Sequence, residues 1–399
     1  MGNIIIPENR DYMADAVVIG GGAIGVATAF WLSRYGLKTV LLEAREELAG
    51  LTTAASAECF RAQFTEDAIA PIAIEAIDIF ENFAEFIGIP GYDIHVRQQG
   101  YLFLTDDKTM LPQLEAAVAQ YHKLKVTDAE FLDAAQARKR FPFVSSSVVG
   151  ATFRQRDGWM ACHEMVHGLA KAAGARFFIK TRVTDVLTDA DGVCGVQTDR
   201  GLFHTRVVVN AAGPFAGVIG KMAGIDLPLE PVRRQKAYIK TDAAPADAPF
   251  TVDLINGSYW RPESGGAIVG WVDPDEPVSE PLEYPQGDWD FPAYALDHAS
   301  RLTPFWENVI ADMKQEDVDV SAGQYVYTPD TQPLIGPVPG LKGFYLNCGY
   351  WMGVMVSPVA GRMTADLITG KMDNKKNPLR LTRFEEGAAI QGGAFLRGH

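Results

Sequence analysis

Gly20, Gly22 and Gly25 stand in the spacing GxGxxG, and glycines so spaced let backbone come close to a diphosphate. The first permits a tight turn, the second a close approach to the phosphates, the third close packing of helix on strand. Such a segment works between a strand and a helix, where free N–H groups at the helix start face the anion. Both flanks have that character. Ala16-Val17-Val18-Ile19 is a short β-branched apolar run, and Ala23 to Tyr35 is apolar at Ile24, Ala27, Ala29 and Leu32 before Gly36. Thr39-Val40-Leu41-Leu42 reads as a second buried strand. It ends at Glu43, roughly 20 residues on from the first glycine, where an acid binds both hydroxyls of a ribose. The unit predicts a dinucleotide site, and a carboxylate there argues against a 2′-phosphate and so against NADP. This motif leaves FAD and NAD both open. Its bland alternative is an ordinary glycine-rich turn. Leu51-Thr52-Thr53-Ala54-Ala55-Ser56-Ala57, just beyond, is a run of small residues suited to a bulky ligand, or else a flexible surface loop.

The elements that must position these residues come from a chain of 399 residues with 47% hydrophobic and 22% charged positions, the composition of a globular protein of one to three domains. Lys and Arg number 36 against 50 Asp and Glu, a net charge of −14 that argues against a nucleic-acid partner. Cys59, Cys162, Cys194 and Cys348 are scattered, with no CxxC pair, so neither a zinc ribbon nor a disulfide framework is expected, and no metal. The N-terminus lacks a secretory pattern and no apolar run reaches the roughly 20 residues that cross a bilayer. The expectation is a cytoplasmic protein.

Further along, the spacing predicts a long helix over 66–87, strand character over 97–105, and helices near 111–122, 128–140 and 163–173. Strands are expected over 176–179 and 183–188, and Val207-Val208-Val209-Asn210 closes on Ala211-Ala212-Gly213. From Pro231 to Trp271 the pattern turns β-rich, followed by an acidic, proline-punctuated loop over 273–292. Strand–helix grammar then returns, with Ser357 as N-cap and Pro358 opening a helix that ends at Gly370. These segments predict an α/β nucleotide-binding domain interrupted by a second, β-rich domain.

Several blocks in order resemble the D-amino-acid-oxidase-type (DAO) flavoprotein family, especially its sarcosine oxidase, dimethylglycine dehydrogenase and glycine oxidase branches. They are VVIGGGAIGVATAFWLSRYGLKTVLLE at 17–43, ASAECFRAQF at 55–64, VVVNAAGPFAG at 207–217, LPLEPVRRQ at 227–235 and NGSYWRPESGGAIVG at 256–270. The last and longest is YTPDTQPLIGPVPGLKGFYLNCGYWMGVMVSPVAGRMTADLITG at 327–370. The resemblance implies a Rossmann-like FAD-binding domain over 1–95, 146–230 and 321–399. It implies an inserted, mostly antiparallel substrate domain over 96–145 and 231–320 whose sheet faces the flavin. FAD is the implied cofactor, held by Gly20, Gly22, Ala23, Ile24, Gly25, Glu43, Ala44 and Arg45, and by Thr52, Ala55 and Ser56. Val183 matches a position whose backbone touches the adenine, and Ala212 and Gly213 match a second segment near the diphosphate. Gly349, Met352, Gly353, Val354 and Met355 match the turn beside the isoalloxazine. The helix after it would point its positive end at the flavin's pyrimidine edge.

The chain departs from the family at informative places. Gly323 stands where monomeric sarcosine oxidases carry the flavin-linking cysteine, so non-covalent FAD is expected. Ile268 replaces their oxygen-activating lysine, Tyr325 stands where glycine oxidases place a carboxylate-binding arginine, and the usual GFSGHGF turn is GYWMGVM. Arg61 matches an active-site arginine and suits a carboxylate. Tyr259, Tyr325, Trp351 and Met355 complete the candidate substrate-facing set, each also consistent with plain packing. Arg233 and Arg234 read as structural charges, and His95, His163 and His167 form no constellation. The resemblance implies oxidation of the C–N bond of a small amine or amino acid, secondary or N-methylated, by hydride transfer to flavin N5. The resulting imine hydrolyses. Loss of the lysine favours a dehydrogenase over an oxidase and leaves the electron acceptor, oxygen or another carrier, open, as is the oligomeric state. A 2-hydroxy-acid or polyol dehydrogenase and a non-catalytic assembly flavoprotein are the alternatives.

Overall fold

A computed structural model describes residues 4–391, so the two ends of the expected first domain, 1–3 and 392–399, lie outside the described residues. Its first sheet has seven strands in the order Ile4–Ile5, Arg176–Phe178, Thr39–Leu42, Ala16–Ile19, Val208–Asn210, Phe344–Cys348, Leu334–Pro337. All neighbours pair in parallel except the last two. Parallel strands with both faces covered need continuous apolar runs, and Ala16–Ile19 and Thr39–Leu42 are buried at every position. Ala16–Ile19 sits between Thr39–Leu42 and Val208–Asn210, so the chain leaves it in one direction and later returns on its other side. A crevice opens at such a reversal, outside the carboxyl ends of the strands.

The second sheet is larger and mostly antiparallel, as the resemblance implies. Its eight strands run Val318–Tyr327, Glu230–Lys240, Gly266–Trp271, Ser258–Glu263, Phe250–Asp253, Tyr101–Thr105, Gly150–Arg154, Glu130–Asp133. Gly150–Arg154 pairs with Tyr101–Thr105, and Val318–Tyr327 with Glu230–Lys240. These pairings draw strands expected in the first domain into this sheet, and we propose domain boundaries that follow the sheets rather than 146 and 321. A four-stranded layer of Val183–Asp189, Gly192–Thr198, Gly201–His204 and Tyr12–Met13 flanks the first sheet.

Three local expectations are corrected. The helix over 66–87 is two helices, Ala70–Glu81 and Phe83–Ile87, broken at Asn82 (φ −117°). Within 128–140, Glu130–Asp133 is a strand and the helix is Ala134–Arg140, capped by the Asp133 carboxylate on Gln136 N–H. The helix expected to open at Ser357-Pro358 begins five residues earlier, as Gly353–Ile368 with Met352 as N-cap. Pro358 lies inside it and cannot donate to the Val354 carbonyl one turn back. Ser357 Oγ donates there instead, at 3.0 Å, so the pair that resembles a cap repairs an internal proline.

That helix packs on Ala23–Arg34, the helix that follows the glycine turn. Gly361 makes the approach close enough that a Cβ there would lie 2.6 Å from the Ala27 carbonyl carbon. Trp31 Nε1 donates to the Pro358 carbonyl at 2.8 Å, and Asn347 Nδ2 to Thr28 Oγ1 at 3.0 Å. These contacts fix both helix N-termini relative to the crevice. Gly361→Ala is expected to destabilise the fold by about 1–3 kcal/mol through overpacking, read as a lower midpoint of urea unfolding at unchanged slope.

Candidate active site

A cavity of about 410 Å³ runs from the crevice of the first sheet to the face of the second. Gly20 turns the chain at its start with φ +109°, and a Cβ there would lie 2.4 Å from the Ala211 carbonyl oxygen. Gly25 is needed for packing: its Cβ would lie 1.9 Å from Gly20 O, and the residue lies behind the cavity wall. Gly22, Ala23 and Ile24 do line the cavity. Thr53 Oγ1 accepts the Ala23 N–H at 3.2 Å, which holds the small-residue run against the helix start. Ala212 and Gly213 line the opposite wall; Gly213 (φ +53°) has open space where its Cβ would be.

Glu43 accepts the Gly21 N–H at 2.6 Å on one carboxylate oxygen and the Arg45 N–H at 2.7 Å on the other. Burial raises its pKa, against the opposing pull of those two N–H groups. Each oxygen keeps a lone pair for a sugar hydroxyl. Ala44, Arg45 and Val183 line the cavity beside it.

The run after Glu43 is clamped from the second sheet. Thr52 Oγ1 donates to the Gln324 carbonyl at 3.2 Å, and Lys236 Nζ donates to the carbonyls of Ser56 and Ala54. Buried Arg261 donates to the Ala57 carbonyl at 3.1 Å and to Glu58 at 3.0 Å. Thr52 and Ser56 line the cavity, whereas Ala55 faces Gly323, where a Cβ would sit 3.0 Å from the Ala55 Cβ. The position thus has little room for a larger side chain. Glu58, Cys162 and His163 bring ligand-type atoms within 4.8 Å of one another, but Glu58 is already paired with Arg261 and accepts the Cys162 N–H.

Arg61, Tyr259, Tyr325, Trp351 and Met355 all line the cavity. The Arg61 guanidinium, 2% exposed, stacks 3.9 Å from the Phe64 ring centroid, with Phe103 at 5.5 Å and Trp351 at 5.8 Å. Its Nη1 donates to the Gln63 carbonyl. A buried network fixes this stretch: Asp157 takes Arg154 Nη1 at 2.5 Å, the Ala62 N–H at 3.0 Å and Gln63 Nε2 at 3.2 Å. Tyr259 lies flat over Gly270, where a Cβ would sit 2.1 Å from its ring, and stacks on Phe250, which stacks on Tyr101. Burial pushes the Tyr259 and Tyr325 phenols well above their ordinary pKa, so both stay protonated.

The turn over 349–355 brings Trp351 and Met352 to the cavity, and the first turn of helix Gly353–Ile368 adds Gly353, Val354 and Met355. Gly349 (φ +78°) makes the turn and packs on Thr328, outside the lining. Trp351 Nε1 donates to the Thr331 carbonyl at 3.0 Å. The Thr331 turn is held by Asp330, which accepts from the fully buried Arg383 at 2.8 Å. Burial opposes the Asp330 carboxylate, yet the Arg383 hydrogen bonds and charge, together with the Ile390 and Gln332 N–H groups, hold the carboxyl below its usual range.

Sequence reasoning missed part of the wall. Tyr101, Phe103, Phe250 and Val252 come from the second sheet, and their strand alternation is the signal that could have found them. Thr181, Arg182 and Glu283 also line the cavity and carry no motif.

The glycine turn, the acid at the second strand and a long cavity lined on both sides fit an FAD molecule. A family model described as FAD dependent oxidoreductase (DAO) matches residues 15–367. The chain belongs to this DAO family of FAD-dependent oxidoreductases. The family is one of FAD-dependent oxidoreductases, and FAD is the cofactor that membership implies. It is similar to mouse mitochondrial dimethylglycine dehydrogenase, 25% identical over 91% of this chain and 43% of that one. Human mitochondrial sarcosine dehydrogenase is 27% identical over 93% of this chain and 41% of its own. The chain thus spans less than half the length of these dehydrogenases. Sarcosine oxidase subunit beta of an Arthrobacter species is 25% identical and is covered over 99% of both chains. Among solved structures, L-proline dehydrogenase from P. horikoshii superimposes with a TM-score of 0.82 at 25% identity, over 94% of this chain and 99% of that one.

Two outcomes follow from this geometry. Glu43→Gln leaves either the Gly21 or the Arg45 N–H without its acceptor, and flavin content per chain in purified protein is expected to fall severalfold. Asp330→Asn strands the buried Arg383 charge and is expected to cost about 3–5 kcal/mol in chemical denaturation at neutral pH. Because the folded Asp330 pKa is depressed, this stabilisation is complete above the ordinary Asp value of about 3.9 and disappears as pH falls through the folded value. The gap between wild type and variant should therefore close in acid.

Proposed function

We propose that this enzyme oxidises the C–N bond of a small amine that carries a carboxylate, a secondary or N-methylated amino acid, and releases an imine that hydrolyses. The observation that carries the reading is Arg61, a guanidinium buried among aromatic rings on the cavity wall. A planar fork in an apolar setting binds a carboxylate strongly and places it in one orientation. Tyr259 and Tyr325 supply neutral hydroxyl donors, and Trp351 and Phe103 give an aromatic surface suited to N-alkyl groups. FAD, when bound, supplies a two-electron acceptor between the two sheets. The chain's task is alignment and exclusion of water.

Oxidation of a hydroxy acid would need a group to take the hydroxyl proton. Among the described residues no histidine or lysine lines the cavity, and Asp253 there is committed to Arg301 through 2.5 and 2.8 Å contacts. An amine in its neutral form needs no such base. Ile268 lies on strand Gly266–Trp271 outside the cavity lining, and among the described residues no lysine lines the cavity to assist oxygen, which supports a dehydrogenase that passes electrons to another carrier.

Arg61→Lys is expected to lower kcat/KM for N-methylated amino acids about ten- to a hundredfold, the worth of a charge-assisted hydrogen bond. The same change should barely alter turnover of a decarboxylated analogue. Dye-coupled assays measure both. Equal losses on the two substrates would contradict the carboxylate role, and rapid peroxide formation without dye would contradict the dehydrogenase assignment.

A further inference from the structure

The acidic segment over 273–292 is not a plain surface loop. Arg233 closes its base by binding both Glu276, at 2.8 Å, and Asp288, at 2.6 Å. Gln324, on the neighbouring strand, then pins the middle: its Oε1 accepts the Leu282 N–H at 2.7 Å, and its Nε2 donates to Ser279 Oγ at 2.9 Å and the Glu280 carbonyl at 3.0 Å. From this base the segment reaches across to the first sheet. Glu283 pairs with Arg182 at 2.7 Å, its carbonyl accepts from Arg45 Nη2, and the Arg45 guanidinium lies 5.1 Å from the Tyr284 ring centroid. Arg45, Arg182 and Glu283 all line the cavity, next to Glu43 and Val183.

We propose that the segment Leu282–Tyr284 is the outer wall of the FAD adenosine site, latched by Arg45 and Arg182, and that it must swing away for FAD to enter or leave. The proposal rests on the placement of the adenosine beside Glu43. Its logic is steric and electrostatic. The wall is held at its base by Arg233 and by Gln324, which reaches as far as Leu282, whereas among the described residues Glu283 and Tyr284 at its tip are tied to the first sheet by a half-exposed ion pair, one carbonyl contact and a cation–π contact. Half-exposed pairs are weak and screened by salt, so the tip is the part that opens first. The substrate sheet thereby contributes to cofactor retention, because the latch is held by its edge strand Val318–Tyr327 and that strand's neighbour Glu230–Lys240.

The test is the rate at which diluted holoenzyme releases FAD, followed by recovery of free-flavin fluorescence. Arg182→Met and Glu283→Gln are each expected to speed release about three- to fivefold, and the double variant no more than either alone. Raising the salt should speed release from wild type and leave the variants nearly unchanged. Arg206→Met, which breaks the equally exposed pair with Asp189 outside the cavity, should release FAD as wild type does. Release rates for Arg182→Met and Glu283→Gln within error of wild type would overturn the latch. Glu43→Gln separates the two layers: if it speeds release while the latch variants do not, the wall fails alone. If Glu43→Gln leaves release unchanged, the adenosine placement fails with it.

Discussion

The architecture depends on a contact that only hydrogen side chains allow. Where Ala16–Ile19 ends, Gly20 meets the Ala211 carbonyl from the neighbouring strand end, and Gly25 meets the Gly20 carbonyl from the first helix. Any Cβ at either place would overlap backbone, which cannot move aside as a flexible side chain could. The turn, the helix start and the returning strand are therefore locked into one geometry, and the crevice at the strand reversal is its consequence. Glu43 shares in the lock, since its carboxylate ties the turn at Gly21 to its own strand end at Arg45.

The second sheet completes the site by reaching back. Lys236 and Arg261 hold the small-residue run over 54–58 through its carbonyls and Glu58, and Gln324 and Arg233 carry the acidic segment to the other side. Burial lowers the Lys236 pKa, a cost offset by the carbonyls it binds and the Glu58 charge beside it. The cationic side chains of one sheet thus position the backbone of the other, while Arg61 is the one arginine among the five candidate substrate-facing residues that line the cavity.

What could be read in the sequence was what local spacing dictates. The glycine turn, the two apolar strands and Glu43 fall within one short stretch, so their roles follow from neighbours along the chain. Ser357-Pro358 misled because serine before proline satisfies a helix start and an interrupted helix equally well; only the Val354 carbonyl that accepts from Ser357 tells them apart. Arg182 and Glu283 meet from distant parts of the chain with no periodicity, and no pattern announces that pairing. Arg383 belongs to no motif, yet it is wholly buried against Asp330. Strand Gly150–Arg154 escaped because its partner Tyr101–Thr105 lies across two helical pieces and another strand.

The proposed reaction brings a carboxylate-bearing amine to Arg61 within a flavin-filled cavity. Anaerobic titration of the purified holoenzyme, watching the flavin absorbance band, addresses this without assuming any electron acceptor. N-methylated amino acids should bleach the band at concentrations far below those needed for the matching amines that lack the carboxylate. Bleaching that ignores the carboxylate, or a band that no amine of either kind diminishes while hydroxy acids do, would contradict it.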